Sequence, residues 1–147
     1  MLFPSLSQFV WVGLWLLIFG VCGFALWRGG PPERIGAGLV LLIALIGGGV
    51  NQFPTETSRQ IGHLTADGVL ALGFLAVAVR YGSLWLGGAM LFQAAQFSLH
   101  AFFFVTQKPQ NSFYGVVNNV NLFGVLICLL VGALAAASRA RAGARAA

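Results

Sequence analysis

Five apolar runs of 19 to 25 residues divide this chain, at residues 9–27, 35–53, 61–79, 83–105 and 113–137. A helix needs roughly 20 apolar residues to cross a hydrocarbon core of about 30 Å. No water reaches the backbone there, so each run must satisfy its own amides and carbonyls, which a single segment does only as a helix. Charged residues make up 7% of the 147 positions, against about 25% in a water-soluble domain. The fold class expected is therefore all-α. It is a polytopic transmembrane bundle of five helices, one domain over residues 1–137, with the lipid bilayer as its surroundings. The third run is the least apolar, because it holds His63 and Asp67 near its start.

The gaps carry helix-stopping chemistry. Gly29-Gly30-Pro31-Pro32 ends the first helix and Asn51 with Pro54 the second, Tyr81-Gly82 makes a tight hairpin, and Lys108-Pro109-Gln110-Asn111 forms the last turn. Lys and Arg then set the orientation. Arg28, Arg34, Arg80, Arg139, Arg141 and Arg145 fall on one side, and only Arg59 and Lys108 on the other. Basic residues near helix ends stay in the cytoplasm, so the tail is expected inside and the N-terminus outside. Residues 1–8 carry no charge and lack the basic start of a cleaved signal peptide. Trp11, Trp27, Tyr81 and Trp85 are expected at the bilayer interfaces. The basic tail, residues 138–147, is expected to be loose and to anchor the topology. A net charge of +5 without a basic stripe on one face excludes nucleic acid as a partner. Cys22 and Cys128 lie singly in apolar runs and read as small buried thiols.

The junction Trp27-Arg28-Gly29-Gly30-Pro31-Pro32-Glu33-Arg34-Ile35-Gly36 resembles a Trp-Arg-x-Gly-x-Pro-Glu-Arg-x-x-Ala-type junction after the first membrane helix of a group of small bacterial polytopic membrane proteins. The likeness covers ten residues and, loosely, the hydropathy layout. It implies a bacterial inner-membrane setting and carries no activity. By itself the junction places Arg28 and Arg34 as anchors and leaves Glu33 to pair with either arginine or cap the second helix.

Polar groups inside a membrane are costly and face the bundle interior, which makes them the informative positions. Arg59, Gln60, His63 and Asp67 share one face of the third helix. Gln93, Gln96 and His100 share one face of the fourth, and Tyr114, Asn118 and Asn121 one of the fifth. At a rise of about 1.5 Å per residue, Asp67, His100 and Asn118 lie at one depth, so the three stripes are expected to meet in a polar network. In its plainest form that network fixes helix register, with Asp67 accepting from His63 or pairing with Arg59.

Three functions are compatible with this pattern. The first is a small non-catalytic integral membrane subunit packed into a larger inner-membrane complex, an electron-transfer assembly being one setting. Its partners would dock on small-residue surface such as Gly20 and Gly23 of the first helix or, as the stronger case, Gly36, Ala37, Gly38, Ala44 and Gly47-Gly48-Gly49 of the second. The second is a cofactor-binding protein, with His63 and His100 as axial ligands of a b-type haem and Gly62 leaving room for the macrocycle. In a variant of it, Asp67 joins the two histidines as a third metal ligand. The third is a proton or small polar-solute transporter using Asp67, without a second intramembrane carboxylate as relay. No Walker loop, dinucleotide-binding glycine pattern or nucleophile elbow occurs, which places an enzyme last.

Overall fold

The computed structural model describes residues 6–146; the first five residues of the charge-free start, and residue 147, lie outside it. The described chain is all helical, as α1 (Leu6–Arg28), α2 (Pro31–Val50), α3 (Glu56–Tyr81), α4 (Leu84–Thr106) and α5 (Ser112–Ala146). All five are long and apolar enough to cross a membrane.

Helix ends depart from the apolar runs where capping chemistry outweighs hydropathy. α2 starts four residues before its apolar run, because Pro31 and Pro32 occupy the first turn, where a missing N–H is no loss. Glu33 reinforces that start by accepting the Gly30 N–H at 3.0 Å. α3 starts five residues early. Thr55 caps it by accepting the Ser58 N–H at 3.2 Å, and Glu56 pairs with Arg59 at 2.8 Å on the exposed first turn. Gly82 closes α3 in the left-handed conformation, φ 61°. Asn111 accepts the Tyr114 N–H at 3.0 Å and so starts α5. The tail, expected to be loose, is a correction: α5 continues unbroken to Ala146. Alanine and arginine are strong helix formers, and Arg145 in the last turn complements the helix dipole.

Connections of two to five residues force neighbouring helices antiparallel. The helices close a ring in chain order, with α1 packed on both α2 and α5, and α2 also touching α5. The ring has two poles. The Asn51 pole gathers the start of α1, the end of α2, the start of α3, the end of α4 and the start of α5. The Trp85 pole gathers the opposite ends.

Toward the Trp85 pole an apolar layer crosses the interior, and beyond it a second void of about 520 Å³ is lined by Glu33, Trp85 and Gly132. Phe74, Leu86 and Leu129, with Cys22, Ala25, Ala37 and Ala89, are fully buried toward this pole. The Trp85 indole lies between α2 and α5, so tightly that a Cβ at Gly36 would come within 2.6 Å of Cη2 and one at Gly132 within 2.5 Å of Cδ1. Its Nε1–H donates to Glu33 Oε1 at 2.9 Å, and Phe74 meets the ring edge-on at 6.2 Å. Trp85, expected at an interface, is therefore a core residue, while Trp11, Trp27 and Tyr81 are exposed. Glu33 caps α2 as expected but pairs with neither arginine. It is 1% exposed and gives its second oxygen to Trp85, whereas Arg34 Nε donates to Gly29 O at 3.0 Å.

The outer surface is the reverse of a soluble protein's. Leu16, Val79, Leu84, Leu91 and Val105 stand almost free of protein contact, while Glu33, Gln60, Asp67, Gln93, His100 and Asn121 are buried. Hydrocarbon surroundings would make both choices favourable, since exposed leucine costs nothing there and an unpaired amide costs several kcal/mol.

Candidate functional site

In the half of the bundle toward the Asn51 pole, polar side chains from α3, α4 and α5 converge. Helical spacing produces this. Asp67 lies one turn beyond His63 on α3, Gln93, Gln96 and His100 recur at three and four residues on α4, and Asn118 and Asn121 do so on α5. Asp67 is the hub, 8% exposed. His100 Nδ1 bonds its Oδ2, and Gln93 Nε2 donates to Oδ1 at 3.1 Å and to the Asp67 backbone carbonyl at 3.2 Å.

Gln96 extends the network to α5. Its amide nitrogen donates to Asn118 Oδ1 and lies 3.4 Å from His100 Nε2, and its Oε1 accepts from Asn121 Nδ2 at 3.2 Å. With Gln96 donating to Nε2, the network assigns the His100 hydrogen to Nδ1, where it is given to the Asp67 carboxylate. One unbroken chain of bonds thus runs from Gln93 through Asp67, His100 and Gln96 to the two asparagines.

His63 and Arg59 take other partners than expected. His63 Nε2 bonds Asn51 Oδ1, just past the end of α2, at 2.9 Å, and Arg59 pairs with Glu56, so neither meets Asp67. The His63 and His100 rings are close, centroids 5.7 Å apart and tilted by 41°. Their Nε2 atoms face Asn51 and Gln96, and the small recess beside them is bounded by Gln60, Phe103, Gln110 and Tyr114. Gly62 does not make room for a macrocycle. The Val50 side chain fills the space, and a Cβ at Gly62 would come within 2.6 Å of it. This arrangement lends the haem reading no support. Among the described residues no three His, Cys, Asp or Glu side chains are grouped to hold a metal ion.

Beside the network lies a cavity of about 380 Å³, within the range of small-molecule sites. Asp67, Gln93, Gln96, His100 and the asparagines of α5 form one wall. The other comes from α1 and α2, with Trp11, Trp15, Ile18 and Ile43 among its residues and Gly47 and Gly48 widening it. Sequence reasoning missed this apolar wall and Asn119. Trp11 and Trp15 are spaced one turn apart, but nothing in a hydrophobic helix says which of its faces borders a void.

Comparison of the chain with models of protein families, with curated proteins and with solved structures found no match.

Proposed function

We propose that this chain is a multi-pass protein of a bacterial inner membrane, N-terminus outside, that binds a small molecule against the Asp67–His100 pair. The supporting observation is the coincidence of a buried, fully bonded acid–imidazole pair with a cavity of ligand size. Intramembrane ionisable residues are functional candidates, and here one stands in a wall accessible to a guest. The site is a binding site rather than a proton path. The only other deeply buried carboxylate among the described residues, Glu33, lies at the opposite pole beyond Phe74, Leu86 and Leu129.

Native mass spectrometry of the protein extracted in nanodiscs should show one small-molecule adduct of defined mass on the wild type. Gln96→Leu, which removes the bonds to Asn118 and Asn121, should lose it. A wild-type spectrum carrying nothing but bulk lipid would refute the reading. Orientation is tested by reporter fusions. The six-to-two asymmetry of Lys and Arg predicts cytoplasmic signals at residues 29–34, 81–82 and the tail, and outside signals at 54–60 and 106–112. A cytoplasmic signal at 106–112 would overturn it.

A second reading, as a subunit of a larger inner-membrane complex, keeps one specific support. A Cβ added at Gly13, Gly20 or Gly23 of α1 would meet nothing within 4 Å, so that face is small and uncovered. The case for α2 is weaker than its glycine content suggests, because Gly36 seats Trp85 and Gly47 and Gly48 line the cavity. Gentle extraction should then retain a partner above the 15.5 kDa chain mass. A bare monomer across several mild detergents would exclude the subunit role.

A further inference from the structure

We propose that the occupant of the cavity is an uncharged, ring-bearing amphiphile drawn from the bilayer, with carbonyl or hydroxyl oxygens on its ring, as in a quinone. This rests on the cavity being a ligand site, and four features of the walls select the class.

Charge excludes the ionic alternatives. No lysine or arginine lines the cavity, and its two imidazoles are engaged with Asn51 (His63) and with Asp67 and Gln96 (His100), so no uncommitted cation stands ready for a phosphate or carboxylate ligand. Its single carboxylate already receives His100 on one oxygen and Gln93 on the other, and therefore makes no demand for a cation. What remains on the polar wall is mostly amide, from Gln93, Gln96, Asn118, Asn119 and Asn121, with Asn51 near the rim. Gln96 is engaged at both ends of its amide, whereas Gln93 Oε1, Asn118 Nδ2 and Asn121 Oδ1 take no part in the network's bonds, which leaves acceptors and a donor for ring oxygens that accept in one state and donate in another.

The facing wall carries no polar group deep in the cavity and presents two indoles. Trp11 and Trp15 pack edge to face, centroids 5.7 Å apart, and Trp15 continues into a stack with Phe19. Aromatic surfaces of this kind bind a flat ring better than a branched or spherical solute. Trp11 is 58% exposed, beside the outward-facing Val12 and Leu16 of the same helix. The cavity thus borders the apolar flank of the bundle, the direction from which an amphiphile dissolved in lipid arrives. Oxygen atoms on one side of a ring and hydrocarbon on the other match a pocket that is amide on one wall and indole and aliphatic on the other.

Gly47 supplies a clean test. It lines the cavity, and a Cβ there would meet nothing within 4 Å, so the side chain of Gly47→Leu starts in open space and takes up cavity volume. Purified protein in nanodiscs is titrated with ubiquinone-1, with n-decanol as a tail without a ring, with choline as a cation and with inorganic phosphate. Tryptophan fluorescence and direct partition of the probe are both read. The expected result is saturable one-site binding of ubiquinone-1, at least tenfold weaker in Gly47→Leu, with the other three probes failing to saturate. Saturable, Gly47→Leu-sensitive binding of choline or phosphate would overturn the ligand class and leave the cavity as a ligand site. Equal binding of decanol and ubiquinone-1 would show that the oxygenated ring is not recognised and would overturn it too. If quenching never saturates and is identical in Gly47→Leu, and no other probe saturates, both the class and the ligand site fall.

Discussion

Replacing Asp67 by leucine is expected to give the largest loss of stability of any single change on the polar wall. The substitution strands His100 Nδ1–H and removes one of the two bonds of the Gln93 amide, which keeps the Asp67 backbone carbonyl as acceptor. Removing one partner of a buried pair in a soluble protein costs about 3–5 kcal/mol. Interhelical bonds in membranes average nearer 0.6 kcal/mol, with maxima around 1.7, because the separated helices find other partners. Two lost interhelical bonds at the membrane scale amount to roughly 1–3 kcal/mol. Asp67→Asn keeps an acceptor and should cost less than half as much. Thermal unfolding in nanodiscs measures both, and a cycle with His100→Gln should return a coupling of about 1 kcal/mol or more. An Asp67→Leu protein as stable as the wild type would mean that the α3–α4 bonds do not form.

The second large effect is expected at the opposite pole, where size rather than polarity decides. Gly36→Val and Gly132→Val each place methyl groups where the Trp85 indole already sits. An indole held by two helices and a hydrogen bond cannot give by the needed ångström without losing its bond to Glu33. Overpacking of this kind costs about 1–3 kcal/mol, and either variant should reach the upper end. Trp85→Phe combined with Gly132→Val should recover part of the loss, because the smaller ring makes room. Recovery separates a steric clash from a general intolerance of α5 to β-branched residues. Glu33→Gln keeps an acceptor for Trp85 and should be mild, whereas Glu33→Leu should approach the glycine variants.

The helices were legible in the sequence because hydrocarbon leaves a 20-residue apolar segment no alternative to a helix. The polar stripes were legible because periods of three and four are fixed by backbone geometry. Partners within the stripes were not. Asp67 has His63 one turn before it on its own helix, yet it bonds His100 across to α4, and His63 reaches Asn51. Spacing along one helix says which residues share a face and nothing about how far neighbouring helices are rotated toward it. Glu33 and Trp85 escaped for a related reason. Both stand at helix starts, where charge and indole usually mean an interface, and only the placement of Gly36 and Gly132 shows that a ring is seated between them. The long α5 was missed because arginine in a tail reads as solvation, while its backbone preference is helical.

The packed half of the bundle has a thermodynamic consequence for whatever the other half holds. Phe74, Leu86 and Leu129 are fully buried between the cavity and Trp85, so an apolar layer stands between the compartment and the opposite pole. A guest that comes and goes through a single mouth equilibrates with one reservoir. Its occupancy follows concentration in that reservoir, and no difference in concentration or voltage between the two faces of the membrane can do work on it. On the proposed ligand reading, the packed layer suits this chain to holding a molecule or handing it on within one leaflet rather than carrying it across.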